Sequence, residues 1–255
     1  MTLRAAVAWL DEVLEPHKFD DVANNGLQLD RRGRDIERVA FGVDASSAFI
    51  DECVRAGAQL AVVHHGISWG GGIKRLAGGV YEVVKRAMDA DLAIYASHLP
   101  LDAHPEYGNN AGIVRKLELE RVSKAFSYHG NIIGMTGFAS RGGEFEIGHA
   151  KVSLTAGEKV GVCSGGAGSF AEEAKELGCS VYVTGEADWG ETVAARNAGA
   201  KMVCAGHYET ETFGVASLCA AMQAALCTRL LTGRPLETGR LYMADLLDME
   251  LESLF

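Results

Sequence analysis

Short apolar runs alternate with helix-spaced segments along this chain, and that alternation restricts its fold more than any other feature. Val39-Ala40-Phe41-Gly42-Val43, Leu60-Ala61-Val62-Val63 and Leu92-Ala93-Ile94-Tyr95-Ala96 read as buried strands. Between the first two lies a helix over 46–56, which Asp44 or Ser46 is placed to start, and a further helix over about 80–88 leads to the third. Strand and helix in alternation build a parallel sheet with helices on its faces. Ahead of this unit, Leu3, Val7, Leu10 and Leu14 recur at helical spacing, giving an amphipathic helix that stops at Pro16.

The middle of the chain changes character. Residues 128–138, with Gly142-Gly143 as a turn, read as a short antiparallel stretch. A second α/β run follows: strand 159–163, the loop Ser164-Gly165-Gly166-Ala167-Gly168-Ser169, helix 170–177, strand 181–184, helix 190–198 and strand 201–205. The expected fold is α/β with a second domain over 126–204. Helix over the last ~25 residues is a matter of propensity alone.

Composition bounds the function. With 255 residues, 48% of them hydrophobic and 23% charged, the chain is long enough to bury a core. A net charge of -10 argues against non-specific binding to nucleic acid, which needs clustered Lys and Arg. No apolar stretch reaches the length of ~20 residues that spans a bilayer, and Met1-Thr2-Leu3-Arg4 lacks the layout of a signal peptide, so a cytoplasmic protein is expected. The six cysteines form no CxxC pair; neither a disulfide framework nor a cysteine-rich zinc site is indicated.

The chemistry centres on His64-His65, which follow an apolar strand and precede the glycine-rich 66–72. Successive side chains of a regular strand point to opposite faces, so the pair is expected where the strand exits into a turn and both rings can face one cavity. Loop histidines of no special role are the alternative. The segment Ser97-His98-Leu99-Pro100-Leu101-Asp102-Ala103-His104-Pro105 follows another strand, and its two prolines are expected to keep it a loop. His64, His65, His98, Asp102 and His104 therefore share the carboxyl edge of a sheet, where ligands collect. In Gly206-His207-Tyr208-Glu209-Thr210-Glu211, a helix starting near His207 brings His207 and Glu211 to one face and turns Glu209 away. An acidic, dipole-compensated helix start is the alternative there. Taken together, His64, His65, Asp102, His207 and Glu211 suit a dinuclear site for zinc, iron or manganese. The glycine loop 164–169 is either an anion contact or a tight turn; it matches neither a P-loop nor a dinucleotide fingerprint.

These motifs, with Asn24-Asn25-Gly26-Leu27-Gln28, Trp69-Gly70-Gly71, Gly108-Asn109-Asn110, Cys163-Ser164-Gly165-Gly166 and Thr184-Gly185-Glu186, occur in an order that resembles the Nif-three-like family, over about 1–226. Its members are often labelled GTP cyclohydrolase type-one, type-two homologues. The resemblance implies two α/β domains, the second (126–204) inserted in the first (1–125 with 205–255), a dinuclear metal site at their interface, and toroidal homohexamers built as trimers of dimers. It carries the ligand role onto His64, His65, Asp102, His207 and Glu211, with Asp102 or Glu211 as the bridge. His98 then supports a ligand or transfers protons, and Glu186 is a candidate for supporting a ligand from behind. Tyr208-Glu209 departs from the His-Ala common in the family, and 229–255 shows no match.

Five protein ligands leave room for water on two ions, which points to metal-assisted hydrolysis. The candidate reactions are opening of a purine ring, as in a GTP cyclohydrolase, or hydrolysis of a phosphoester or amide in a small metabolite. For the first, His98 or Glu186 would shuttle protons. The rival reading is a non-enzymatic ring-shaped protein that stores, delivers or senses metal, or acts as a scaffold. Of the other side chains, His17 and His149 are expected to be solvated, His104 and His129 are read as ordinary surface histidines with approach to the site as the alternative, and Cys204 is expected to be a core cysteine with a ligand role as the alternative.

Overall fold

The structure, a computed structural model, describes residues 1–33, 35–231 and 240–243. The described residues form two compact units, one from Met1–Pro16, Asp21–His98 and the described residues from Cys219, the other from His17–Asp20 and Leu99–Leu218. The expected second domain, 126–204, lies wholly inside the latter, which also takes in 99–125 and 205–218.

The first unit opens with α1 (Leu3–Leu14), capped by the Thr2 hydroxyl accepting from the Ala5 N–H, with Leu3, Ala6, Leu10 and Leu14 as its buried stripe. It ends at Glu15, whose φ of 47° breaks the helix before Pro16. Then come β1 (Gly26–Leu29), β2 (Arg38–Asp44), α2 (Ser47–Ala56), β3 (Leu60–His65), α3 (Gly78–Asp89) and β4 (Ala93–Ala96). The sheet runs β1-β4-β3-β2, with β2, β3 and β4 parallel and β1 antiparallel to β4. Of the two candidate caps of α2, Ser46 accepts from the Phe49 N–H, and Gly57 in the left-handed region ends the helix. Phe49, Ile50 and Cys53 of α2 pack with Ala61, Val63, Ala87 and Ile94 in one core. The Phe49 ring fills the space a side chain at Gly42 would need, which is why that strand position is a glycine.

Two local expectations are corrected. Strand β3 continues through His64 and His65 rather than turning before them; its pairing with β4 ends at Val63↔Ala96, while pairing with β2 reaches Asp44↔His65. The segment after β4 is not all loop: Leu99–Ala103 forms the short helix α4. Pro100 is its second residue, a first-turn position where no helical hydrogen bond is lost.

The second unit continues with α5 (Asn109–Lys116), β5 (Leu119–Tyr128), β6 (Asn131–Ala139), β7 (Gly143–Ile147), β8 (Ala150–Leu154), β9 (Lys159–Cys163), α6 (Ala171–Glu176), β10 (Val181–Thr184), α7 (Trp189–Ala198), β11 (Met202–Cys204) and the first part of α8 (His207–Leu231), whose residues from Cys219 count with the first unit. Its sheet runs β11-β10-β9-β6-β5; β9 to β11 are parallel, and β6 pairs antiparallel with β5 and β9. Asp188 and Glu191 form a capping box at α7. Strands β7 and β8 make a separate hairpin whose buried Phe145, Ile147, Val152 and Leu154 join one core with Val160, Val162 and Ala205. At the far end of the chain, β12 (Arg240–Met243) pairs in parallel with β2, so helix does not cover all of the last 25 residues; the rest of that expectation lies outside the described residues. Among the described residues no helix is long and apolar enough to cross a membrane.

Candidate metal centre

In the first unit three imidazoles gather at the carboxyl edge of the parallel sheet. Ring centroids are 4.6 Å apart for His64 and His65, 5.2 Å for His64 and His98, and 5.7 Å for His65 and His98. Although β3 carries both His64 and His65, their rings tilt at 43° to one another. The two reach a common space where β3 has lost its β4 partner after Val63↔Ala96 while still paired with β2 at Asp44↔His65.

Each ring is fixed through Nδ1. His64 Nδ1 lies 2.9 Å from the Ser97 carbonyl oxygen, His65 Nδ1 2.8 Å from Asp44 Oδ1, and His98 Nδ1 2.8 Å from Asp21 Oδ1. An oxygen at Nδ1 selects the tautomer that donates there and presents the Nε2 lone pair, the arrangement that orients metal-binding histidines. The ligand nitrogens of the three residues lie within 4.8 Å of one another. Asp21 is the best supported of these acceptors: it also accepts from the Ala23 N–H and from Asn25 Nδ2, while Asn25 Oδ1 accepts the His98 N–H. Burial alone would raise the Asp21 pKa, but the hydrogen bond and charge of His98, aided by Ala23 and Asn25, hold it at about 2. Trp69 completes the group, its ring 5.2 Å from that of His98 and its Nε1–H donating to the Gly66 oxygen.

The second unit carries its own group of titratable side chains. Asp102 is buried on α4, where its Oδ1 accepts from Asn109 Nδ2 at 2.8 Å and Ser164 Oγ at 2.9 Å. At the start of α8, His207 and the buried Glu211 share a face as their spacing requires, with Nε2 3.1 Å from Oε1. Glu186, in the loop after β10, reaches His207 Nδ1 at 2.9 Å. Two carboxylates around one ring call for positive charge. The His207 pKa is pushed up to about 9, chiefly by the Glu211 hydrogen bond against the opposing effect of burial, with the Glu211 charge and Glu186 adding to it.

The glycine loop proves to be a tight turn that packs against His207 and Glu211. The Gly165 carbonyl accepts the N–H groups of Ala167, Gly185 and Glu186, and the Gly165 N–H donates to Thr210 Oγ1. A side chain at Gly165, whose φ is 67°, would sit 2.5 Å from Glu211 Oε1. The loop therefore spends its polar groups on holding β10 and α8 in place.

Other residues fall elsewhere. His104 Nδ1 accepts from the Glu106 and Tyr107 N–H groups, and its ring stacks on Tyr107. His129 stands at the β5–β6 turn beside Tyr128. His149 is solvent-exposed as expected, with its side chain 73% accessible, and also pairs with Glu209. Cys204 is exposed at the end of β11 and is not a core residue. Cys163 is buried near Asp102, and that burial and charge push its thiol far above the usual range. Sequence patterns did not single out Asp21, Asp44, Asn109 or Ser164 as site residues; Asn109 and Ser164 stood in the family motifs, whereas nothing local marked Asp21.

The three imidazoles of the first unit fit a metal by themselves: nitrogens already oriented through Nδ1 are ligands of borderline divalent ions rather than of calcium or magnesium.

The chain matches the model of the Duf34/NIF3 (NGG1p interacting factor 3) family over residues 1–231. It is 40% identical over 233 residues to the GTP cyclohydrolase 1 type 2 homolog of Deinococcus radiodurans, covering 85% of this chain and 87% of the relative. It is 39% identical over 228 residues to the protein of the same name from Archaeoglobus fulgidus, covering 86% and 91%. Among solved structures, the protein ybgI, described as of unknown function, superposes with a TM-score of 0.78 at 26% identity, covering 95% of this chain and 97% of that one.

Proposed function

The chain belongs to the Duf34/NIF3 family, and on that footing we propose that it binds two divalent metal ions, zinc, iron or manganese, and hydrolyses a nucleotide or another small metabolite. The observation that carries this reading is the shared Nδ1 anchoring of His64, His65 and His98, which presets three imidazoles for metal. His64, His65, Asp102, His207 and Glu211 are the proposed ligands, and His98 adds a further nitrogen donor. When bound, such ions polarise the scissile bond and bring the pKa of a coordinated water toward ~7.

The residues around the ligands have defined roles. Asn109 and Ser164 hold Asp102 Oδ1, so the carboxylate presents its remaining lone pairs in one orientation. Glu186 fixes the His207 ring and, being exposed, passes protons to solvent. The half-exposed Trp69 lies beside His65 and His98 as an apolar wall. GTP is the first substrate to test, since the curated relatives are named GTP cyclohydrolase 1 type 2 homologs.

The decisive assay incubates the metal-loaded protein with GTP and follows formate release. Release should disappear in a His64→Ala/His65→Ala variant; equal release from both proteins refutes the site. On the same family footing we propose a cytoplasmic homohexamer, a trimer of dimers, which sedimentation equilibrium would register as six times the 27.1 kDa chain mass.

A further inference from the structure

We infer that the tip of the β7–β8 hairpin is a positioning element for the start of α8, and that its grip on Ala205 and Glu209 sets how tightly His207 and Glu211 hold metal. The inference rests on the metal reading above and adds to it a control point outside the ligand set.

Four observations meet at this tip. The His149 N–H donates to the Ala205 carbonyl at 3.1 Å, reaching the residue that ends the β11 connection two positions before His207. His149 Nε2 lies 2.5 Å from Glu209 Oε1, so the side chain grips the first turn of α8 between the two ligands. Gly148, at φ 50°, is packed so closely that a Cβ there would overlap the Ala205 oxygen and come within 2.6 Å of Glu209 Cβ. Gly206, at φ 100°, leaves no room for a side chain beside Glu209 and His149.

The hairpin is itself anchored. Phe145, Ile147, Val152 and Leu154 are buried in the same core as Ala205, so the tip is carried on a packed base and not on a free loop. Glu209, which faces away from the ligands, thereby ties the helix start to that base. A pair with one solvent-exposed partner, as His149 is here, adds little to global stability. Its consequence is local, because His207 and Glu211 must keep within a fraction of an ångström of a productive position. Coupling of this kind is reciprocal: if the tip sets metal affinity, metal must also steady the tip.

The test uses the full chain stripped of metal by chelator and titrated with Zn²⁺ against a competing indicator. His149→Ala should weaken Zn²⁺ binding by about tenfold, the lower end of what outer partners of metal ligands contribute. Its melting temperature should stay unchanged, and His149→Gln, which can still donate to Glu209, should restore binding to within about twofold of wild type. Gly148→Ala should weaken binding further. Zn²⁺ should slow hydrogen exchange of the His149 amide in the wild type. Wild-type affinity in His149→Ala, or a His149 amide that exchanges equally with and without Zn²⁺, overturns the inference. His207→Ala separates the two levels: if it binds Zn²⁺ like the wild type, the metal reading itself is wrong; if it weakens binding while His149→Ala does not, only the role of the hairpin falls.

Discussion

Asp21 holds His98: its Oδ1 lies 2.8 Å from the ring Nδ1, across 77 residues of chain, while its other contacts with Ala23 and Asn25 keep the carboxylate from turning. The same device recurs at lower support in Asp44 and His65. Removing the anchor frees the ring to rotate. Asp21→Ala should therefore weaken Zn²⁺ affinity by ~10–100-fold, and Asp44→Ala by less, in a chelator-competition titration. Unchanged affinity in Asp21→Ala would show that His98 is not a donor.

Gly165 is forced by its surroundings. Its φ of 67° suits glycine, and any Cβ would press on Glu211 Oε1. Gly165→Ala should cost about 1–3 kcal/mol in urea unfolding from backbone strain alone, and should displace Glu211 as well. Loss of Zn²⁺ binding beyond what the stability change explains, measured on the folded fraction, is the expected signature.

Phe49 joins α2 to the sheet of the first unit, fully buried over Gly42. Phe49→Ala leaves a cavity between helix and strand and should destabilise the protein by ~3–5 kcal/mol. Denaturant unfolding followed by far-UV circular dichroism measures it. A cost below about 1 kcal/mol would mean that the α2 face is not packed as described.

Cys204 is the exposed thiol among the described cysteines, whereas Cys53, Cys163, Cys179 and Cys219 are buried. Partial desolvation, with the charges of Glu191 and Glu186, raises its pKa above the ordinary value. Only the thiolate reacts, and a raised pKa means less thiolate at neutral pH. Iodoacetamide labelling should thus be slow at pH 7, climb as pH rises, and level off only above the usual thiol range. Cys204→Ser should remove the fastest-labelled site, which peptide mass spectrometry would identify.

Stripping metal should lower the melting temperature, since ligand binding to the native state alone stabilises it by mass action. The loss should be reversed by adding back Zn²⁺ and should be absent in His207→Ala. A melting temperature indifferent to chelator would count against a resident ion.

Much of the fold and the site is legible in the sequence, for local reasons. Buried strands at β2, β3 and β4 announce themselves as apolar runs, the cap of α2 by Ser46, and the His207/Glu211 pair by helical spacing. The strand exit is harder: strict alternation to the last residue would put His64 and His65 on opposite faces, so β3 is expected to end before them, whereas it runs on through both, paired with β2 but no longer with β4, and the rings converge. Helix α4 is hidden by Pro100, a residue that breaks helices except in the first turn, and first-turn position cannot be read before the helix is known.

What the sequence determined by itself was the alternating α/β architecture and the residue types able to hold metal, because period, propensity and spacing are properties of neighbours along the chain. What only the tertiary structure decided was how those side chains are aimed. Ser97, Asp44 and Asp21 turn three histidines by their Nδ1 atoms, and Gly148 and His149 seat the start of α8. Those three oxygen partners lie 33, 21 and 77 residues from the rings they orient, and such pairings become defined only when the sheet brings its strand ends together.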